Sequence, residues 1–289
     1  MTLNLIKTFF VSCLVINIVS ALSDLKKENE IEGKVVVITG AAQGIGYAIA
    51  DNFLKNGAKV IIILDINVPK GIQAAKELNC KYGKNKAEFI ECDITKDLER
   101  ISKIIYKKYK YVDVLVNNAG IFKEIKPRKL LLTNAVATIE FSLKFMENMR
   151  KDKLSGKGGT IINIASTVVH YIDPFFPTYR GTKFAIMGFS RSLGHEYNYK
   201  KNGVRVLTIC PGETNTTLGL DNTKVNSEDA PALAKEYQYP TIQSPDNVGK
   251  GAVEIFKNAK TGTSWDIENE KPPVESTDTI RLLKIGESL

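Results

Sequence analysis

With 289 residues, 43% of them hydrophobic, the chain can bury one sizeable core, and an α/β domain of this length need not divide. The formal charge of +8 comes from Lys and Arg scattered along the whole length, as in Lys107-Lys108 and Lys200-Lys201, with no dense basic block and no interleaved aromatic platform. That pattern argues against nucleic-acid binding and describes a solvated, Lys-rich surface with at most a mild preference for anionic substrates or membranes.

Met1 to Lys7 carries one Lys and no acid, Thr8 to Ala21 is almost continuously apolar, and Val19-Ser20-Ala21 has the small-x-small form of a cleavage site. Residues 1–21 are therefore expected to be a secretory signal peptide, and the mature chain, from about Leu22, is expected to carry no transmembrane segment and to be secreted. A spanning helix needs about 20 apolar residues, and this run is shorter and interrupted by Asn17. The alternative is an uncleaved anchor that retains the protein in the endoplasmic reticulum.

Residues 22–289 read as a single domain. Lys34 to Thr39 (KVVVIT) is a β-branched run that breaks at glycine and leads into a helical pattern, Ile45 to Asn56, closed by Gly57. Lys59 to Leu64 follows as a strand, Gly71 to Asn79 as a helix, Ala87 to Cys92 as a strand and Asp97 to Tyr109 as a helix. Val112 to Val116 is a fourth strand, Leu130 to Arg150 a long helix, Gly159 to Ala165 a fifth strand, Tyr179 to Tyr199 a helix and Val204 to Cys210 a sixth strand. Short, continuously apolar strands alternating with helices imply a parallel sheet buried on both faces, hence a doubly wound, Rossmann-type α/β fold. From Pro211 to about Ser244 the pattern dissolves into Asn- and Thr-rich sequence, with a substrate loop expected at about 213–243. A last helix, Ser244 to Asn258, opens Ser-Pro-Asp as a capped helix should. Beyond Cys13, the three cysteines Cys80, Cys92 and Cys210 sit at no metal-like or framework-like spacing, so no metal site is expected and Cys92 and Cys210 read as buried free thiols.

The first strand ends in Thr39-Gly40-Ala41-Ala42-Gln43-Gly44-Ile45-Gly46. Glycines there permit a tight turn and let backbone N–H groups and a helix N-terminus approach a pyrophosphate, although the spacing departs from G-x-G-x-x-G. Nineteen residues beyond Gly46, Asp65 closes the second strand. A carboxylate at that point accepts from the adenosine ribose hydroxyls and repels a 2′-phosphate, which favours NAD over NADP, and no Arg or Lys lies beside Gly44 or Asp65 in the sequence. A turn-forming Asp ahead of Asn67-Val68-Pro69 is the other reading.

From about Glu32 to Trp265 the chain resembles the short-chain dehydrogenase/reductase family. The resemblance rests on the turn from Thr39 to Gly46, Asp93 after the third strand, Asn117-Asn118-Ala119-Gly120 after the fourth and Ser166 after the fifth. Tyr179-Arg180-Gly181-Thr182-Lys183 opening a helix, and Pro211-Gly212 followed by Thr216, complete it. Gly156 to Ser166 (GKGGTIINIAS) looks most like the insect alcohol dehydrogenase and 15-hydroxyprostaglandin dehydrogenase branch.

Oxidising an alcohol by hydride transfer requires removal of the hydroxyl proton, and a tyrosine with pKa near about 10 is a poor base at neutral pH. Lys183, one helical turn from Tyr179, can stabilise the phenolate, and a nicotinium charge adds to this, so a lowered Tyr179 pKa is expected. Ser166 would hold the substrate oxygen. The resemblance implies that Lys183 also binds the nicotinamide ribose and that Asn134 links it to solvent through a water; Ala135 departs slightly from the bulkier residue usual there. It further assigns Gly40, Gln43, Gly44, Ile45 and Gly46 to the cofactor turn, Asp93 and Ile94 to the adenine, and Asn118 and Ala119 to the strand-end contacts. Thr214 and Thr216 fall to the carboxamide and pyrophosphate, and Pro211 and Gly212 to the cofactor. Taken singly, Ser166 could be a helix cap, Asn134 a polar helix residue and Thr216 a turn residue.

The substrate walls are expected from Thr167 to Pro177 and from Glu213 to about Tyr239, where Tyr171, Phe175, Phe176 and Leu218 suit an aliphatic or lipid-like secondary alcohol. His170 could face the substrate or a solvent-exposed loop, and His195 reads as a structural residue on the helix beyond Lys183. Asn215-Thr216-Thr217 is a glycosylation sequon expected to stay unmodified beside the cofactor. The resemblance also implies a homodimer or homotetramer through the helices Leu130 to Arg150 and Tyr179 to Tyr199, with Ile139, Phe145, Ile186 and Phe189 available for pairing. A different class of function remains open: a secreted, catalytically inactive binding protein that uses the same fold to hold a hydrophobic ligand.

Overall fold

The computed structural model describes residues 29–170, 172, 174–218 and 242–278. Strands β1 (Val35–Thr39), β2 (Val60–Asp65), β3 (Ala87–Glu91), β4 (Val114–Asn117), β5 (Gly159–Ile164), β6 (Val204–Pro211), β7 (Ser264–Ile267) and β8 (Val274–Glu275) form one sheet in the order β3-β2-β1-β4-β5-β6-β7-β8. All neighbours are parallel except β7 and β8. The helices are α1 (Gly44–Lys55), α2 (Val68–Tyr82), α3 (Leu98–Tyr109), α4 (Pro127–Leu131), α5 (Ala137–Met149), α6 (Pro177–Leu193), α7 (Glu196–Asn202) and α8 (Pro245–Asn258).

Alternation along each strand splits the core in two. Val36, Ile38, Ile61 and Ile63 pack against Ile49 and Phe53 of α1, Leu78 of α2 and Val248 and Phe256 of α8. Val35, Val37, Ile62 and Leu115 face Ile101 and Ile105 of α3 and Phe141 and Phe145 of α5. Burial on both faces is why these strands read as unbroken apolar runs. The strand order reverses at β1, whose two neighbours are β2 and β4, and this opens a crevice beyond the carboxyl ends of those strands.

Several boundaries differ from the sequence reading. The helix expected over Tyr179 to Tyr199 stops at Leu193, and His195, in extended backbone, caps α7 by accepting the Tyr197 N–H at 3.2 Å. The long helix expected over Leu130 to Arg150 begins at Pro127 and contains a π-helical turn, Leu132–Val136, that carries Asn134. The second helix starts earlier, at Val68, because the Asn67 side chain caps it and Pro69 fits the first turn. Strands β7 and β8 were not anticipated; at four and two residues they are too short to carry a period. Of the residues expected to pair, Phe145 and Ile186 are fully buried in this chain's own core; elsewhere on the helix expected over Leu130 to Arg150, Leu131, Leu132, Val136 and Leu143 are exposed.

The α8 cap is as expected, with Ser244 accepting the Asn247 N–H and Pro245 at the first helical position. Cys92 and Cys210 are buried free thiols and Cys80 is exposed. No helix among the described residues is long and apolar enough to cross a membrane. The expected signal peptide and most of the expected substrate loop, residues 219–241, lie outside the described residues.

Candidate active site

The turn after β1 is held by the loop after β4. Thr39 Oγ1 accepts the N–H groups of Asn118 and Ala119, each at 3.0 Å, and the Asn118 carboxamide donates to the carbonyls of Thr39 and Gly40, also at 3.0 Å. Gly40 has φ +65°, and a Cβ there would stand 2.8 Å from Ala119 Cα. Gly46 lines neither cavity described below; it lets α1 sit directly on the turn, where a Cβ would meet Asn118 Nδ2 and the Gly40 carbonyl at 2.5 Å. The N-cap of α1, Gln43, makes no side-chain capping bond, so the first-turn amides of this helix are left without intrahelical partners.

Asp65 at the end of β2 is aimed by two backbone groups: Oδ2 accepts the Ala42 N–H at 3.1 Å and Oδ1 the Asn67 N–H at 2.9 Å. The fold also brings a cation here that adjacency in sequence did not suggest, for Lys70 Nζ donates to Gln43 Oε1. An outer cleft of about 880 Å³ is lined by Gly40, Gln43 to Ile45, Asp65, Asp93, Ile94, Asn118, Ala119 and Thr216. Asp93 is tied by Thr95 and Lys96, which hold its carboxyl below the usual range. An open helix N-terminus, a turn packed tightly at its glycines and the Asp65 carboxylate, gathered at one cleft, fit a dinucleotide.

An inner cavity of about 320 Å³ shares Ile45, Asn118, Gly120, Ile121, Thr216 and Leu218 with the outer cleft. Asn134, Ser166, Tyr179, Lys183, Pro211, Gly212 and Thr214 all line it. Ser166 and Thr167 leave the end of β5, and each hydroxyl donates to the Pro211 carbonyl at 3.5 Å. Tyr179 stands in the first turn of α6; Lys183, one turn on, is buried and donates from Nζ to the Ile164 carbonyl at 3.0 Å, 5.6 Å from the Tyr179 ring centroid. Thr214 is fixed by Gly212 and Gln243, and Thr216 lies against Gly44, whose φ is +60°.

One expectation is corrected. Without a bound cationic ring, the Tyr179 pKa is raised: burial outweighs the Ser166 hydroxyl, which pulls it down, and Glu213 pushes it up further. Burial also lowers Lys183 from 10.5 to about 8, so the ammonium expected to activate the phenol is itself disfavoured. The Asn134 side chain is engaged by protein groups. Its Oδ1 accepts the Ile121 N–H and its Nδ2 donates to the Ile121 carbonyl, both at 2.8 Å, with a longer contact to Thr182 Oγ1 at 3.5 Å.

His170 meets neither expectation for it. It is buried, and Nε2 lies 2.8 Å from Asp266 Oδ1 of β7, which also accepts from Ser276. Cavity residues missed in the sequence are Ile121 and Phe122 after β4 and Glu268 and Asn269 after β7. Phe122 lies two residues beyond the Asn117 to Gly120 motif, a local signal for it, whereas Glu268 and Asn269 follow a strand with no visible period. Of the apolar wall residues expected, Phe176 and Leu218 line the cavity and Phe175 does not, while Tyr171 lies outside the described residues.

Residues 34–226 match the family model for short chain dehydrogenases. Human 15-hydroxyprostaglandin dehydrogenase [NAD(+)] is 36% identical over 190 residues, 65% of this chain and 71% of that protein. Alcohol dehydrogenase 2 of Ceratitis cosyra is 31% identical over 254 residues, 86% of this chain and 96% of that one. Among solved structures, 3-ketoacyl-(acyl-carrier-protein) reductase from Brucella melitensis, complexed with NADH, superposes with a TM-score of 0.69 at 25% identity, covering 83% of this chain and 98% of its own. With the fold, the strand-end motifs and these matches in agreement, the chain belongs to the short-chain dehydrogenase family of oxidoreductases.

Proposed function

We propose that the protein oxidises an apolar or lipid-like secondary alcohol, or reduces the matching ketone, with NAD as the redox partner and Tyr179 as the general base. The observation that carries this reading is the convergence of Ser166, Tyr179 and Lys183 on a cavity walled by Ile121, Phe122, Phe176 and Leu218 and joined to the dinucleotide cleft. The α1 N-terminus, Asp65, Asn118 and Lys183 would hold the cofactor, which when bound would supply a hydride acceptor and a positive charge. Tyr179 takes the hydroxyl proton, and Ser166 donates to the substrate oxygen and holds the developing negative charge. Lys183 places a cation under the phenol, which favours its ionised form. Asn134 fixes Ile121 as the wall of the site.

Support for NAD comes from Asp65 and from the NAD(+) in the name of the human relative. Purified protein with NAD and a panel of aliphatic secondary alcohols is expected to produce the reduced-nicotinamide absorbance, and Tyr179→Phe to lose at least about 100-fold in kcat. A wild-type rate in that variant would sink the mechanism. Hydrophobic ligand binding that is indifferent to NAD and to Lys183→Met, with no turnover, would point instead to a binding protein.

The proposal extends to compartment and assembly. Residues 1–21 support entry into the secretory pathway, and the natural protein is expected to begin at Leu22. The exposed apolar residues Leu131, Leu132, Val136 and Leu143 support a homodimer or homotetramer, which light scattering tests.

A further inference from the structure

The base, Tyr179, sits at the third residue of α6, in the part of a helix that frays most readily. Its N-cap position is Phe176, which has no side-chain acceptor and whose ring packs against Phe122 at 5.0 Å. Pro177 has no N–H, and the first helical bond runs from the Arg180 N–H to the Phe176 carbonyl at 2.8 Å. The donors left over in this turn are the N–H groups of Thr178 and Tyr179. Both are taken by one carboxylate: Glu124 Oε1 accepts from Thr178 at 2.6 Å and Oε2 from Tyr179 at 3.0 Å.

Glu124 is not on the helix it caps. It lies 55 residues earlier than Tyr179, on the loop after β4. That loop also supplies Phe122, whose ring meets the Tyr179 ring edge-on at 4.9 Å, and Ile121, which Asn134 holds by two bonds. The circuit closes through α6, where Thr182 Oγ1 donates to the Tyr179 carbonyl at 2.6 Å and contacts Asn134. A carboxylate at a helix N-terminus also opposes the positive end of the helix dipole, which would otherwise favour a nearby phenolate.

We propose that Glu124 is a positioning residue for the reaction: a long-range cap that locks Tyr179 to the loop forming the substrate wall, so that the base and the wall keep one geometry. The inference rests on the hydride-transfer reading above. Losing the cap frees the first turn of α6 and lets the phenol leave the line of Ser166 and the substrate oxygen, where small displacements are costly.

The test combines amide hydrogen exchange with steady-state kinetics on the full chain for Glu124→Ala and Glu124→Gln. In Glu124→Ala, exchange at Thr178 and Tyr179 is expected to accelerate about 10-fold or more while the core strands keep their protection. The same variant should lose about 10- to 100-fold in kcat with the KM for NAD nearly unchanged. Glutamine keeps an oxygen for one amide without the charge, so it should restore part of kcat. The acid limb of its pH–kcat profile for alcohol oxidation should move to lower pH by about half a unit, because the opposing negative charge is gone.

Faster exchange with unaltered kcat and pH profile would overturn the positioning role. So would equal loss in the Ala and Gln variants with the acid limb unmoved, which is what a purely structural cap predicts. A wild-type protein that turns over no alcohol would defeat the hydride-transfer reading instead, while the exchange measurement would still report on the tether.

Discussion

Replacing Lys183 with methionine removes a charge from the core and keeps most of the buried stem. A pKa lowered from 10.5 to about 8 by burial means that the folded protein disfavours the ammonium by about 3 kcal/mol relative to the unfolded chain. Below pH 8 both states hold the proton and the penalty is complete. Between pH 8 and 10.5 the unfolded chain keeps a proton that the folded protein has released, so this group's contribution makes the wild type more stable as pH rises. Methionine has no such penalty but forfeits the bond from Nζ to the Ile164 carbonyl, about 1–1.5 kcal/mol. At pH 7 the variant is therefore expected to be more stable by about 1–2 kcal/mol while losing activity, with the advantage shrinking steadily toward pH 10. Tyr179, with its raised pKa, releases stability only above its unfolded value near 10 and does so in both proteins, so it cancels from the difference. Urea unfolding of both proteins at several pH values from 7 to 10 measures this. A stability difference that stays flat or grows with pH would refute the reasoning.

Other outcomes follow from single contacts. Asp65→Ser should remove the charge that repels a 2′-phosphate and leave Lys70 nearby, raising affinity for NADPH relative to NADH by at least about 10-fold in fluorescence titration; an unchanged ratio would show that Asp65 does not set cofactor choice. Asn163, buried at the centre of the sheet, accepts from Asn117 at 2.8 Å and donates to Ser190 at 2.8 Å. Asn163→Ala should leave Ser190 without this donor and Asn117 with Ser142 alone, and cost about 2–4 kcal/mol by chemical denaturation, whereas a loss under about 1 would mean that they re-pair. A thiol reagent at pH 8 should label Cys80 in the native protein and reach Cys92, whose pKa burial raises to about 12, and Cys210 only on unfolding; native labelling of Cys210 would contradict its burial.

The sequence alone determined the parallel sheet, because strands covered on both faces must be continuously apolar and so are visible without any partner. It placed the glycine turn after β1, Asp65 at the end of β2 and the Tyr179 and Lys183 pair on one helix for a similar reason: each depends on spacing within one local unit. Tertiary structure decided what joins distant segments. Glu124 meets the α6 amides, Lys70 folds onto Gln43, Asn134 binds the Ile121 backbone, and His170 turns inward to Asp266. None of these has a local period. Tertiary structure also set the direction of the Tyr179 pKa, since burial raises it against the pull of the Ser166 hydroxyl, and in the protein alone burial prevails. A sequence can place two groups one helical turn apart; how much water remains around them is decided only when the rest of the chain closes over them.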